Sequence, residues 1–251
     1  LTSDTIAPMP LDICVGHSQG GIAYLLVQAL ENALREADSS RHAACLLTQV
    51  EVDEHDPAFD DPSKFIGTFY NEKEARRIEA EMGWRMKEDS DRGWRHVVPS
   101  PKPQHVCDIS LVQVLARRGT IVIAGGGGGI PVVRGPKGVR RGVQAVIDKD
   151  LTSAHMANVL GIELLMILTA VPKVAVNFGQ PDQRDLEQVT MRELRALHAE
   201  GHFPPGSMGP KVDAALRFLE GGGERVIIAH LDEAMAALNG ETGTHVLADD
   251  A

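Results

Sequence analysis

An alternation between helical and strand-like segments constrains the fold of this chain more than any other feature. Residues 19–37 carry apolar side chains at helical spacing, and residues 43–52 have the composition of a buried strand. This order predicts an α/β fold, a three-layer αβα sandwich with a mostly parallel central sheet. After residue 108 the predicted elements are a helix over 109–119, strands over 120–125 and 143–147, a helix over 152–161, a strand over 163–171, helices over 191–201 and 210–222, and a strand followed by a helix within 225–238.

Residues 53–103 differ in composition from the segments on either side. They contain both tryptophans, many charged residues and a closing Pro-x-Pro sequence, with one clear helical pattern near residues 71–82. Because the alternation stops before this stretch and resumes after it, we predict a small inserted subdomain that protrudes from the α/β fold.

The composition excludes several classes of function. The chain has 251 residues and a formal net charge of −10, and nucleic-acid binding calls for a basic face, so no nucleic-acid partner is expected. The sequence has no run of about 18 apolar residues and no signal-peptide pattern, which predicts a soluble protein without a membrane segment. Cys14, Cys45 and Cys107 have no paired spacing, so we expect neither disulfides nor a zinc site, and we expect a cytoplasmic location.

Five consecutive glycines interrupt an apolar stretch in "TIVIAGGGGGIPVVRG". Glycine loses more backbone freedom on folding than any other residue, so this run predicts that something approaches the backbone closely. The glycines either offer backbone N–H groups to an oxyanion or form a structural or dinucleotide-binding turn. Pro131 and two valines follow where a dinucleotide site needs a helix, so a dinucleotide site fits poorly. The candidate residues are Gly125, Gly126, Gly127, Gly128 and Gly129.

A lysine between two carboxylates follows the predicted strand over residues 143–147. In open α/β sheets, ligands bind beyond the carboxyl ends of strands, so Asp148, Lys149 and Asp150 are candidates for contact with a phosphoryl group. The alternative is a capping aspartate beside a solvated lysine, with the next helix beginning near Thr152 or Ser153. These residues by themselves leave both interpretations open.

Two further lysines occupy positions that suggest contact with an anion. Pro210 suits the first turn of a helix, and Lys211 adds its charge to the positive end of the helix dipole, which is unfavourable unless an anion binds there. Lys64 stands beside Phe65 and Ile66 in the insertion, where it either contacts a substrate or covers these apolar side chains.

Several segments together resemble the carbamate kinases of the amino acid kinase family. They occur in the family's order and span nearly the whole chain. The segments "DRGWRHVVPSPKP" and "GHFPPGSMGPK" are typical of this branch rather than of the wider family. The others are "MPLDICVGHSQGGIAY", "LTQVEVD", "DPSKFIG", "AGGGGGIPVV", "GVQAVIDKDLTSAHMANVLG" and "LLMILTAVPKVAVNFGQPDQ".

The resemblance implies a reaction and a set of residue roles. The implied reaction is reversible phosphoryl transfer from ATP to carbamate, giving ADP and carbamoyl phosphate, with Mg²⁺, in a homodimer that serves arginine catabolism. Lys149 and Lys211 match the lysines that neutralise the transferred group, and Asp150 matches the aspartate that orients them. Lys64 matches a lysine that covers the substrate, and the glycine loop would bind the carbamate end. The implied nucleotide-binding residues are Asp148, Val176, Phe178 and Met208, and no metal-ligating side chain is implied.

The resemblance also implies three parts of the chain. Residues 1–52 with 104–140 would form the carbamate-binding part, residues 53–103 a lid, and residues 141–251 the nucleotide-binding part. Family members carry two further glycine motifs ahead of the segment matched here. We therefore expect residues 1–251 by themselves to show no activity above background, to bind ADP weakly and to self-associate. Two alternatives stay open: a kinase of another small carboxylate or amino acid on the same fold, and an inactive dimerising fragment.

Overall fold

A computed structural model describes residues 9–89 and 92–249. The chain divides into two compact units, Leu1–Lys149 and Asp150–Ala251. Among the described residues, no helix is both long and apolar enough to cross a membrane.

The first unit contains three helices and nine strands among its described residues. In chain order they are α1 (Leu11–Glu36), β1 (Ala43–Cys45), β2 (Gln49–Glu51), β3 (Lys64–Tyr70), α2 (Glu72–Met82), β4 (Met86–Glu88), β5 (Trp94–Val98), β6 (His105–Val106), α3 (Ile109–Arg117), β7 (Ile121–Ile123), β8 (Ile130–Arg134) and β9 (Arg140–Gly142). Helix α1 begins earlier than the predicted residue 19, directly after Pro10, a residue that cannot donate a backbone hydrogen bond.

The predicted strand over residues 43–52 is two strands in two different sheets. β1 pairs in parallel with β7, while β2 pairs in parallel with β8 in a sheet of order β6-β2-β8-β9. The outer strands β6 and β9 are antiparallel to their neighbours. Residues 46–48 connect β1 in the first of these sheets to β2 in the second. The glycine run connects the same two sheets in the same order, because it joins β7 to β8. The apolar composition predicted burial correctly but could not show this break.

The insertion folds around a three-stranded antiparallel sheet of order β3-β5-β4. Helix α2 confirms the predicted helix near residues 71–82, and it begins at a capping box in which Asn71 and Glu74 exchange hydrogen bonds. The strands were not predicted, because most positions of β3 are only half-buried or exposed and show no clean alternation. The small core consists of Ala75, Ile78 and Met86, with Tyr70, Trp84 and Trp94 packed against it.

Two predictions for residues 143–153 were wrong. Residues 143–147 form no strand, although Ala145 and Ile147 are fully buried. The Val146 N–H donates to the carbonyl of Pro99 rather than to a strand ladder, so an apolar run here reflects a buried, irregular segment. The following helix, α4 (Lys149–Leu160), begins at Lys149 and not near Thr152 or Ser153.

The second unit is a four-stranded mixed sheet with helices and a separate two-stranded hairpin. After α4 its elements are β10 (Leu164–Thr169), β11 (Val174–Val176), β12 (Arg184–Leu186), β13 (Gln188–Thr190), α5 (Met191–Ala199), α6 (Met208–Glu220), β14 (Arg225–His230), α7 (Ala234–Leu238) and β15 (Thr244–Leu247). The sheet order is β10-β14-β15-β13, with β10–β14 and β13–β15 parallel, and β11 pairs antiparallel with β12.

Helix α6 supplies much of the core of the second unit. Pro210 lies in its first turn, as predicted, where a missing N–H costs nothing. Val212 and Phe218 of α6 are fully buried and pack in one cluster with Val226 of β14 and Leu194 of α5. The predicted α/β fold class is confirmed.

Candidate functional site

The glycine loop adopts a backbone that other residues rarely take. Gly125, Gly126, Gly128 and Gly129 have φ angles of 79°, 47°, 134° and 97°. These values lie in the region that side chains with a Cβ disfavour, so the backbone conformation favours glycine at these four positions.

Close approach by the protein itself adds a second requirement. A Cβ at Gly126 would overlap the side chain of Gln19, and one at Gly129 would overlap the side chain of Val50. At Gly128 it would overlap the backbone carbonyl of Ile147, which cannot move aside as a flexible side chain can. A Cβ at Gly127, in contrast, would meet nothing within 4 Å. The close approach expected from the sequence is therefore intramolecular at three glycines, while Gly126 and Gly127 are the exposed residues of the loop.

A threonine that the sequence analysis missed holds both ends of the glycine loop. The N–H of Gly125 donates to the hydroxyl of Thr48 at 2.8 Å, and the N–H of Ile130 donates to the carbonyl of Thr48 at 2.8 Å. The buried side chain of Gln19 accepts from the Thr48 N–H at 2.8 Å and donates to its carbonyl at 3.2 Å. Gln19 stands in the quoted segment "HSQGGIAY", but nothing in that pattern shows which backbone it contacts.

Lys64 forms an ion pair with Asp148 in the first unit. Its ammonium lies 2.7 Å from a carboxylate oxygen of Asp148, and the two side chains are 35% and 12% exposed. Lys64 is the first residue of β3, so this pair joins the base of the inserted sheet to the segment that leads into α4. The Lys64 side chain is therefore directed to a carboxylate rather than lying only over its apolar neighbours.

Lys211 forms an ion pair with Asp150 in the second unit. The ammonium nitrogen lies 2.9 Å from a carboxylate oxygen, and the side chains are only 13% and 8% exposed. Asp150 belongs to the first turn of α4, and Lys211 to the first turn of α6. The positive end of α6 and the lysine charge, which would repel each other, thus have a buried carboxylate beside them.

Lys149 lies between two buried carboxylates in the chain and is itself exposed. Asp148 and Asp150 are 8% and 6% exposed as whole residues. Each of them pairs with a lysine, Asp148 with Lys64 and Asp150 with Lys211. A buried, paired aspartate on each side fixes the backbone from which the Lys149 side chain extends.

The residues implied for nucleotide binding differ in exposure. Val176 ends β11 and is buried in the core cluster of the second unit, and Met208 packs partly against the same cluster. Phe178 is 63% exposed, in a loop where Asn177 has a φ of 54°. The Asn177 amide donates to Asp182 at 2.7 Å, which stabilises that backbone. Of these three residues, Phe178 presents most of its surface for contact with a ligand.

The described part of the chain shows no group of three or more His, Cys, Asp or Glu side chains that could hold a metal ion.

The described fold defines an α/β protein, and comparison with known proteins gives its family. The profile of the amino acid kinase family matches residues 11–230. The chain therefore belongs to the amino acid kinase family.

Several relatives within that family are named as carbamate kinases. The chain is 48% identical to the carbamate kinase of Pyrococcus furiosus over 242 residues, which are 96% of this chain and 77% of that protein. It is also 48% identical to the carbamate kinase of Thermococcus kodakarensis, over 96% of this chain and 76% of that protein. A solved structure of the carbamate kinase from Giardia lamblia bound to AMP-PNP is 42% identical, with a TM-score of 0.88 over 98% of this chain and 78% of that chain.

Proposed function

We propose that this protein is a carbamate kinase, which transfers a phosphoryl group reversibly between ATP and carbamate. The observation that carries the proposal is the 48% identity to the Pyrococcus furiosus carbamate kinase over 96% of the chain, which spans all the candidate lysines. The buried Lys211–Asp150 pair and the exposed Lys149 beside it supply side chains suited to a transferred phosphoryl group.

The reaction needs positioning and charge neutralisation more than covalent help. A carbamate oxygen attacks the γ-phosphorus of ATP, the bond from that phosphorus to the β,γ-bridging oxygen breaks, and ADP leaves with the bond's electron pair. Carbamate is already an anion, so no general base has to remove a proton. Negative charge moves onto the bridging oxygen and stays on the three equatorial oxygens, and fixed cations stabilise that distribution.

Lys211 is the most buried of the three candidate lysines. Its pairing with Asp150 at 2.9 Å fixes the ammonium in one place, so little reorganisation is needed during transfer. The positive end of the α6 helix dipole also favours negative charge at this helix end. We assign the role of neutralising the transferred phosphoryl group to Lys211, with Asp150 as its positioning residue.

The family resemblance implies that Lys149 is a second lysine that neutralises the transferred group. Its side chain extends from the first residue of α4, where the helix dipole also favours an anion. The exposed position of the side chain lets its ammonium contact a substrate from solvent. This placement supports the role that the family resemblance implies for Lys149.

Lys64 and the glycine loop are assigned to the carbamate end of the substrate. Lys64 is one-third exposed and is held by Asp148, so it can contact an anion from the base of the inserted sheet. In the loop, Gly126 and Gly127 are the exposed residues, and we assign their backbone N–H groups to contact with the anion. We propose that the insertion, residues 53–103, moves as a lid over the bound substrate.

We assign the nucleotide to the residues that the family resemblance implies, which are Asp148, Val176, Phe178 and Met208. Phe178 offers an exposed ring for contact with the adenine, whereas Val176 is buried at the end of β11 and Met208 is the partly buried first residue of α6. Mg²⁺ bound to the ATP phosphates would neutralise part of their charge. The three cysteines are free thiols, which agrees with the reducing cytoplasm where ATP is abundant, and we propose a role there in arginine catabolism.

A homodimer is also proposed, with a second copy covering an apolar face of α1. Ile22, Tyr24 and Leu25 of α1 are more than half exposed, as is Leu47 after β1. Large exposed apolar patches commonly mark interfaces between proteins. Light scattering should give the mass of a dimer for the parent and of a monomer for Leu25→Glu, and a monomeric parent contradicts this part of the proposal.

The substrate is tested by comparing acyl phosphates as phosphoryl donors to ADP. We expect carbamoyl phosphate to give a kcat/KM at least about a hundredfold above that of acetyl phosphate, since a site that hydrogen-bonds the carbamoyl NH₂ group rejects a methyl group strongly. Equal or better turnover with acetyl phosphate in the full-length protein would point instead to a kinase of another small carboxylate.

A further inference from the structure

We propose that Thr48 is a positioning residue for the glycine loop and that Gln19 acts through it. The inference rests on the proposed function for its kinetic consequence, and it assigns to two buried polar side chains a part in binding the carbamoyl group. Neither residue is expected to touch the substrate.

Thr48 ties both ends of the loop to one point. Its hydroxyl accepts from the N–H of Gly125 at the start of the loop, and its carbonyl accepts from the N–H of Ile130 at the end, each at 2.8 Å. The same hydroxyl donates to the carbonyl of Leu46 at 2.8 Å, which orients its lone pairs toward Gly125. Because Thr48 is hydrogen-bonded to both ends of the five-glycine loop, it sets the distance between those ends.

Gln19 fixes Thr48 in turn. The Gln19 amide accepts from the Thr48 N–H at 2.8 Å and donates to the Thr48 carbonyl at 3.2 Å, so it pairs with the backbone as a neighbouring strand would. Gln19 and Thr48 are 4% and 3% exposed, so water cannot replace these hydrogen bonds. The Gln19 side chain also fills the space that a Cβ of Gly126 would need.

This hydrogen-bond network explains how a loop of five glycines can be ordered before the substrate binds. Five glycines in a row have many accessible conformations, and ordering them only when substrate binds would weaken affinity. Hydrogen bonds to a buried threonine pay that ordering cost during folding. The exposed residues Gly126 and Gly127 then have one fixed backbone conformation.

The test uses Thr48→Val, which keeps the shape of the side chain but removes the hydroxyl, and Thr48→Ser, which keeps the hydroxyl. We expect Thr48→Val to lower kcat/KM for carbamoyl phosphate about tenfold, with the KM for ADP within about twofold of the parent, because a buried N–H loses its acceptor. Thr48→Ser should stay close to the parent. If the role of Thr48 were purely structural, Thr48→Val would lower the melting temperature and would not affect carbamoyl phosphate more than ADP.

Gln19→Met tests the second link, with Gln28→Met on the exposed side of the same helix as its control. If Gln19 acts through Thr48, the kinetic effects of Gln19→Met and Thr48→Val should not add in the double variant. Additive effects contradict the link, and a Thr48→Val protein with parental kinetics for carbamoyl phosphate contradicts the positioning role.

Amide exchange separates this inference from the proposed function. In Thr48→Val the N–H of Gly125 should exchange about tenfold faster than in the parent and in Thr48→Ser, since it loses its one buried acceptor there. A full-length parent protein without any carbamate kinase activity contradicts the proposed function, and the exchange rates then decide by themselves whether Thr48 orders the loop. Unchanged exchange at Gly125 contradicts the inference in either case.

Discussion

The ammonium of Lys211 lies 2.9 Å from a carboxylate oxygen of Asp150, with both side chains nearly buried. Removing two opposite charges from water costs several kcal/mol each, and their attraction offsets this cost only in part, so a buried pair is weak evidence for a contribution to stability. Stability therefore does not explain why Lys211 and Asp150 form a buried pair. A role of Lys211 in neutralising a bound anion does explain it.

Stability and activity should separate when both members of this pair are replaced. We expect Lys211→Ala to destabilise the protein by about 3–5 kcal/mol, because it leaves the Asp150 charge buried without its lysine. The double variant Asp150→Asn with Lys211→Met should recover most of the melting temperature but keep turnover at least about a hundredfold below the parent.

The matched control for this experiment is Arg195→Ala. Arg195 of α5 pairs at 2.8 Å with Glu220, the last residue of α6. The change therefore removes a cation that contacts the opposite end of α6 from Lys211. Its turnover should equal that of the parent. A stable double variant with parental turnover would remove Lys211 from the reaction.

Lys149→Ala should lower turnover with almost no loss of stability. The side chain is exposed, and exposed charges contribute little to the free energy of unfolding. The loss of one fixed cation from the transferred group predicts a fall in kcat of about a hundredfold. Lys73→Ala, at an exposed position of α2, is the control for removing a surface lysine. Steady-state rates within a few-fold of one another for the two variants would assign Lys149 to the solvated surface.

Alanine substitutions in the glycine loop should distinguish conformation from substrate contact. Gly127→Ala should fold with a near-parental melting temperature, because a Cβ there meets nothing within 4 Å and the φ angle is not positive. We still expect it to raise the KM for carbamoyl phosphate, since the added methyl group covers the exposed loop surface. Gly128→Ala should instead destabilise the protein, because its Cβ would overlap the carbonyl of Ile147. Parental kinetics for a well-folded Gly127→Ala protein argue against substrate contact at this loop.

The insertion should become more protected when substrate binds. Lys64 joins it to Asp148 through a 2.7 Å ion pair, and closure of a lid would slow amide exchange within residues 53–103 in the presence of carbamoyl phosphate. Lys64→Ala should reduce that protection and raise KM, whereas Lys87→Ala, which breaks an exposed 2.9 Å pair with Asp61 in the same subdomain, should do neither. If saturating carbamoyl phosphate leaves the amide exchange rates within residues 53–103 unchanged, the insertion does not close as a lid.

Acid should weaken the first unit through Glu51. The hydrogen bond from Arg134 holds the pKa of this buried carboxyl below its ordinary value of 4.5, opposed in part by burial. The folded state then binds fewer protons than the unfolded state as pH falls, so the stabilisation is complete well above pH 4.5 and is lost as pH falls toward the lowered pKa.

Chemical unfolding at pH values above and below 4.5 tests whether Glu51 has this lowered pKa in the folded state. The difference in unfolding free energy between the parent and Glu51→Gln should shrink as pH falls below 4.5. Glu54→Gln, which removes an exposed carboxylate paired with Arg141 at 2.8 Å, is the control and should show little difference at any pH. A constant gap between the parent and Glu51→Gln would show that this carboxyl does not titrate differently in the two states.

The sequence predicted those features that depend on local pattern. The helix near residues 71–82 and the placement of Pro210 in a first turn follow from caps and periodicity, and both are confirmed. The strand predicted over residues 143–147 was wrong because an apolar run reports burial and not hydrogen bonding.

Long-range contacts account for what could not be predicted. The sequence indicated that the glycine run is approached closely, but the atoms that approach it belong to Gln19, Val50 and Ile147, which lie far away in the chain. The partners of Lys64 and Lys211 are likewise 84 and 61 residues distant. Charge type and position suggested candidates, and only the fold shows which carboxylate holds each lysine.

Phosphorus NMR of the full-length protein with ADP, Mg²⁺ and carbamoyl phosphate tests the central claim most directly. The account predicts that one ATP forms for each carbamoyl phosphate consumed, at a rate that Lys149→Ala reduces by about a hundredfold. Consumption of carbamoyl phosphate to inorganic phosphate without ATP, or ATP formation at the same rate in Lys149→Ala, would contradict it.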